Sequence, residues 1–493
     1  MHDVKLPGYA CGFEPAQGEF AFERLELRGR LPAWLRGSFY KTGPGSFAAG
    51  DTLLAHQFDG PAYLQRFAMA NGEVNYRSRW LAPATGRDGK RYPSFGTAVP
   101  LARRQEIEAE VEAGAAPHVN ANVAFAQVGG ELCAVTDGSQ FPLRFDPESL
   151  AARGPIRFED TLSRATCDGE PAPGLRRATT AHYQVEPEGS LLNYFVQFGP
   201  KPSYNFFRIA PGSTRREPLG ILPTDMPSLV HAFNVTERYI VFPEFPLVCD
   251  QRRLAAGEAY GRTLDWREGR ATKIHLIDRH TGARERSFEV EPMYVMHTAN
   301  AYERDGEVVF DVAAYADGTH VRELYLDPSL RPPGGAFAGQ RVAELRNHAR
   351  MRRYRLPLDG GPASWQPLSP VTAEFPTFDC ERRNGRDYGV LYCSGLRDDS
   401  PDSRYYNQIA RIDLVSGETC SWWREGHYVG EPIFVRRPGS TGESDGVLLA
   451  SALDAPARRS YLLMLDAATL GEVASASLPF AMPFSFHGAF LAS

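Results

Sequence analysis

The chain has 493 residues, with 54 Lys and Arg against 60 Asp and Glu, a net charge of −6, and 43% hydrophobic and 23% charged residues. The apolar content suits a large core, and the charged content is too high for an integral membrane protein. Acid and base are spread without a basic stripe, which excludes nucleic acid as the expected partner. The seven cysteines contain no CxxC pair and read as reduced thiols, not as a disulfide or zinc framework.

At the N-terminus, MHDVKLPGYACGFEP lacks a basic segment followed by an apolar run, so no signal peptide is expected. Nor does any window approach the roughly 18 apolar residues that a spanning helix needs. The expected location is cytoplasmic, with peripheral contact to a membrane surface.

With 46 Gly and 38 Pro punctuating runs rich in Val, Ile, Phe and Tyr, the class is mostly β. One unit of strand, short turn and strand recurs along the chain. It reads FAMANGEVNYRSRWL at Asn71, LRFDPESLAARG at Asp146, FFRIAPGSTRREPLG at Pro211 and IHLIDRHTGARERSFEV at Asp278. It returns as YRLPLDGGPASWQPL at Asp359, ARIDLVSGETCSWW at Asp413 and LLMLDAATLGEVASASLP at Asp466. Two helices interrupt the series, LARRQEIEAEVEAGAA at 101–116 and the weaker RRLAAGEAYG at 252–261.

The seven units lie 53 to 81 residues apart, near the length of a four-stranded blade with its loops. Small sheets that bury their faces only against one another make a propeller. The expected fold is all-β: a seven-bladed β-propeller forming one domain over 1–493, with a few short helices and long loops capping an axial metal site.

Histidines share an offset in this register. His231 follows the turn at Pro211 by 20 residues, His297 follows Asp278 by 19, and His487 follows Asp466 by 21. That offset places all three on innermost strands, which ring the axis. His182 comes 36 residues after Asp146, displaced by the Pro/Gly-rich CDGEPAPGLRR, and is read as beginning its blade too. Each of the four follows an apolar or small-residue lead-in, and together they are expected to bind one metal. Glu374 and Glu431 lie 15 and 18 residues past Asp359 and Asp413, on blades without a histidine. Metal-bound imidazoles commonly donate their second nitrogen to a carboxylate, and that is the role expected of these two.

With these residues placed, the sequence resembles the carotenoid cleavage oxygenases, seven-bladed propellers that hold non-haem iron with four histidines. The similarity runs through GSFYKTGPGSF at 37–47, HQFDG at 56–60, NANV at 120–123, the four histidine segments, GEPIFVRRPGSTGESDGVLL at 430–449 and the terminal FHGAF. VVFDVAAYADGTHVRELYL at 308–326 and MRRYRLPL at 351–358 look closest to the branch with the animal β-carotene oxygenases and the retinoid isomerase. The cysteine-bearing segment that those animal proteins carry ahead of the NANV-like motif is absent, so lipid anchoring through it is not expected.

The resemblance implies iron(II), Fe(2+), bound by His182, His231, His297 and His487, with Glu374 and Glu431 behind their ligands. The family's third supporting acid is usually glutamate; here the matching position is Asp137, one methylene shorter. Met296 stands where the family often has another histidine. The implied reaction is cleavage of one carbon–carbon double bond of a carotenoid or apocarotenoid by dioxygen, giving two carbonyl products. Ligand type alone would equally admit zinc or copper.

Thr136, beside Asp137 and near an open coordination position, matches the carotenoid-type members. Relatives that cleave stilbene-like phenolic olefins have a lysine there, and the five lysines of this chain lie elsewhere, at 5, 41, 90, 201 and 273. The alternatives are such a stilbene-type cleavage and a non-enzymatic carotenoid-binding propeller with structural histidines. An apolar polyene needs a lined tunnel, for whose entrance FPEFPLV at 242–248 and PSYNFF at 202–207 are the candidates.

Overall fold

The computed structural model describes residues 6–49, 51–81, 95–98, 106, 120–139, 141–160, 162, 178–337, 339–398 and 404–493. Seven antiparallel sheets of four to six strands form the blades of a propeller. The hairpins expected from the sequence form the outer part of each blade, at the very edge in blades 2 to 6 and one strand in from it in blades 1 and 7. In blades 1 to 4 these pair Ala62–Ala70 with Glu73–Trp80, Leu143–Phe145 with Ala152–Pro155, Ser203–Ile209 with Arg216–Pro223, and Thr272–Asp278 with Arg284–Val290. In blades 5 to 7 they pair Arg350–Pro357 with Ser364–Thr372, Gln408–Asp413 with Thr419–Trp423, and Arg459–Asp466 with Glu472–Ser477.

Four of the turns use one device, which is why the repeat is visible in the sequence. Asp146, Asp278, Asp413 and Asp466 each accept the backbone N–H groups of the residues two and three further on, at 2.7–3.1 Å. Ser149, Thr281, Ser416 or Thr469 occupies the third place, and such short polar side chains favour turns over strands. The residue after it turns the chain with a positive φ, at Leu150, Gly282, Gly417 and Leu470.

Two strands from the chain's ends complete the ring. Gly488–Ala492 forms the inner edge of blade 1 by pairing with Gly37–Pro44, Lys41 opposite Gly488. Glu26–Gly29 adds the outer edge of blade 7 against Glu472–Ser477. Gly43, in the TGPGSF stretch, lets blade 1 approach the segment before His487, since a Cβ there would lie 2.6 Å from the Ser485 Cα.

The largest apolar cluster runs through blades 3 to 6. It also overturns the expected tunnel entrance. Tyr204, Phe206, Phe242, Phe245 and Leu247 are all buried within it, and the Phe242 ring packs 4.7 Å from Tyr204 and 5.1 Å from Phe206. Those aromatic stripes are strand core.

The helix expected at 101–116 lies outside the described residues apart from Glu106. That at 252–261 is realised as Gln251–Ala255 followed by a 3-10 turn, Tyr260–Thr263. Asp250 caps it, accepting from the N–H groups of Arg252 at 2.9 Å and Arg253 at 3.3 Å. No helix among the described residues is long and apolar enough to cross a membrane.

Candidate metal centre

The four histidines, expected on innermost strands, sit where those strands break. His297 alone lies inside one, Tyr294–Arg304, at a shift in its pairing register. His182 falls in the gap between Ala178–Thr179 and Gln184–Val185, His231 shortly before Asn234–Val235, and His487 directly before Gly488–Ala492. The reason is geometric. Side chains of a regular strand alternate between the two faces of its blade and so point at neighbouring blades, not along the sheet edge toward the axis. A break or bulge re-aims them.

Both glutamates obey the same rule. Glu431 occupies the gap between His427–Val429 and Ile433–Arg436. Glu374 begins Glu374–Thr377 at a register shift, and the next residue, Phe375, takes φ 50°, an unusual backbone for a bulky side chain. The sequence gives little warning of this, although Pro376 marks an irregular edge.

The nitrogens of the four imidazoles all lie within 4.8 Å of one another. Nε2 of His182 is 2.9 Å from Nε2 of His231, and Nε2 of His297 is 3.1 Å from Nε2 of His487. Nitrogens at right angles around one ion, each about 2.1 Å from it, would be about 3.0 Å apart. The donor set therefore fits a single transition-metal ion, all imidazole and without thiolate. Burial first, and the neighbouring imidazoles second, push His182 and His487 well below the usual histidine range. Both are thus neutral, the form that ligation requires.

Three of the rings are backed by acids. Oδ2 of Asp137 lies 2.9 Å from Nδ1 of His231, and Oε1 of Glu431 lies 2.9 Å from Nδ1 of His487. Oε2 of Glu374 contacts Nδ1 of His297 and accepts the Phe375 N–H at 2.7 Å. The second oxygens differ. Oδ1 of Asp137 accepts the Ala181 N–H at 2.9 Å, and Oε2 of Glu431 accepts the Gly488 N–H at 2.7 Å. Oε1 of Glu374 makes no hydrogen bond of good geometry among the described residues, although the buried Tyr315 phenol feels its charge.

Lys41 is fully buried behind Glu431, with Nζ 3.8 Å from Oε2 and donating to the Phe486 carbonyl at 2.6 Å. Burial lowers Lys41 to about 8, and burial also raises Glu431 despite the lysine beside it.

A cavity of about 240 Å³ opens from this centre. Thr136, Asp137, His297 and Phe375 line the metal end, Met296 lies along the wall, and the loops above contribute Leu54, Phe95 and Tyr260. The family-like motifs brace that roof. In HQFDG, Asp59 accepts from the Gly96 N–H at 2.8 Å, while Asn120 and Asn122 of NANV hold the Gly60 carbonyl at 2.9 and 2.7 Å. Phe375, Gln57, Tyr405 and His320 also line the cavity; Gln57 and His320 fall in the HQFDG and 308–326 stretches, which assigned them no role, while Phe375 and Tyr405 were not singled out at all.

The model of the retinal pigment epithelial membrane protein family matches residues 13–492. The chain is 30% identical to the Oryza sativa subsp. japonica "Carotenoid cleavage dioxygenase 8 homolog A, chloroplastic", over 95% of this chain and 85% of that protein. It is 28% identical to the Rattus norvegicus "Beta,beta-carotene 15,15'-dioxygenase", over 95% and 89% of the two chains. Among solved structures, a variant of Synechocystis apocarotenoid oxygenase superposes with a TM-score of 0.81 at 21% identity, covering 99% of this chain and 98% of that one. At that identity the last likeness speaks to the fold.

Proposed function

Since the chain belongs to the carotenoid cleavage oxygenase family, we propose that it is an iron(II)-dependent dioxygenase that cleaves one double bond of an apolar polyene. The observation that carries this reading is the convergence of four imidazoles at the end of a largely apolar cavity. In the balanced reaction one carbon–carbon double bond and one dioxygen molecule are consumed, and each new carbonyl carries one of the two oxygen atoms.

His182, His231, His297 and His487 would hold the ion. Iron(II), when bound, supplies the redox chemistry that lets dioxygen react with a double bond. The rest falls to the chain. Asp137, Glu374 and Glu431 fix the orientation of the rings they touch and offset the ion's charge. The cavity wall decides which bond of the polyene lies at the metal end, with Thr136 and Phe375 beside it. No acid, base or nucleophile is required of the protein.

No described residue lining the cavity is a lysine, which supports a polyene over a phenolic olefin. The test is anaerobic reconstitution with iron(II), addition of air, and a panel of carotenoids, shortened polyenes and stilbenes with products read by mass. Paired carbonyl fragments from a polyene are expected. Stoichiometric iron with no cleavage of any olefin would overturn the reading in favour of a binding propeller.

A further inference from the structure

Among the polar side chains that line the cavity away from the metal, two meet only each other. Gln57 and Tyr405, 348 residues apart in the chain, meet through a 2.9 Å hydrogen bond between the amide nitrogen and the phenol oxygen. Both line the cavity, and they are 1% and 6% exposed. Between them they carry two amide N–H groups and one O–H, three donors in all. Their mutual contact uses one, whichever way the amide is turned, and neither side chain has another partner among the described residues. A buried donor left unspent is costly, because it has given up its bond to water without a replacement. The pair therefore calls for an acceptor supplied from the cavity.

The donors are also held still. The Tyr405 ring stacks on Phe484 at 4.2 Å, lies 5.7 Å from Tyr9 and meets Phe13 edge-on at 5.4 Å. Its neighbour Tyr406 packs on Phe375 at 5.4 Å, and Phe375 lies 4.8 Å from the His297 ring. A fixed donor separated from the His297 ring by two aromatic rings, Tyr406 and Phe375, sets a register along an extended ligand.

We propose that Gln57 and Tyr405 form a subsite for a carbonyl or hydroxyl oxygen of the substrate, so that the polyene taken here carries an oxygen-bearing group. This rests on the reading of the protein as a polyene-cleaving oxygenase, and it adds how the chain is positioned. A hydrocarbon in the same place would leave the donors unpaired, and sites built to hydrogen-bond a substrate group discriminate against analogues that lack it.

The test is equilibrium binding, read by the visible absorption of the polyene. It compares an aldehyde-ended or hydroxylated polyene with the hydrocarbon of equal length, in the wild type and in Tyr405→Phe and Gln57→Leu. The wild type is expected to favour the oxygenated ligand about tenfold, as one well-placed hydrogen bond does, and that ratio falls toward one in both variants. Should the wild type bind both equally, bind neither, or keep its ratio in both variants, the subsite is overturned; the pair then holds an ordered water or nothing. Discrimination of the expected kind in a protein that cleaves no olefin would sink the dioxygenase reading and leave the subsite standing.

Discussion

The two sides of the histidine cluster are supported in unlike ways. On one side Asp137 spends both oxygens, one on the His231 ring and one on the Ala181 N–H beside His182. Across from it, Glu374 is 2% exposed and gives one oxygen to His297 and Phe375 while its other makes no hydrogen bond of good geometry among the described residues. The shorter acid is thus the more fully bonded one. Its position explains this: Asp137 follows Glu131–Val135, the second strand of blade 2, and its carboxylate bridges two histidine-bearing segments. Glu374 approaches from an innermost edge, where a bulge and the left-handed Phe375 are needed to fit it. Side-chain length matters less than where the backbone delivers it.

The largest effect should come from the rings themselves. His231→Ala and His297→Ala, one on each side, are both expected to lose bound iron and turnover, because a site of neutral ligands has no carboxylate ligand to compensate. Metal analysis of the purified variants decides it; near-stoichiometric iron with normal turnover in either would break the four-histidine model.

Next come the supporting acids. Asp137→Ala and Glu374→Ala should each weaken metal affinity or activity about 10 to 100-fold, as losses behind ligand histidines do. Asp137→Ala should cost more, since it loosens two segments. A competition titration with a metal-binding dye reads both, and a larger loss for Glu374→Ala would reverse the comparison.

Glu431→Gln is expected to keep much of the iron yet turn over more slowly, since the amide can still meet His487 but carries no charge. Unchanged kinetics would remove Glu431 from the site. The smallest change is Asp137→Glu. Because the aspartate already reaches His231 directly, an extra methylene crowds the contact and should lower thermal stability slightly with only a modest change in metal affinity. Thermal melts with and without metal separate the two effects.

How far the sequence could be read follows from the range of each signal. Four of the seven hairpins were legible because an aspartate and a Ser or Thr three residues later build the turn locally, and the other three because Asn-Gly, Pro-Gly and Asp-Gly pairs do the same, without help from the rest of the fold. His231, His297 and His487 were legible through their constant distance from those turns. That they occupy breaks was not, since a bulge depends on partners in the neighbouring strand. Tyr405 carries no local pattern, Gln57 sits in HQFDG without a role attached to it, and only the closed ring brings the two together. The aromatic runs at 202–207 and 242–248 misled because strand core and a tunnel mouth have the same composition.

Of the four histidines, three stand on blades 3 to 5, and the fourth, His487, belongs to the strand that fastens blade 1 onto Gly37–Pro44. An ion held by all four would bind the closed ring and not the open one. Metal occupancy and ring closure then become a single linked equilibrium, worth about 4 kcal/mol when free metal exceeds its dissociation constant a thousandfold. The clasp would fray more readily in the metal-free protein, and amide hydrogens along 37–44 and 488–492 would exchange faster once the ion is removed. Loss of metal and loosening of the chain's two ends are, on this architecture, the same event seen from two places.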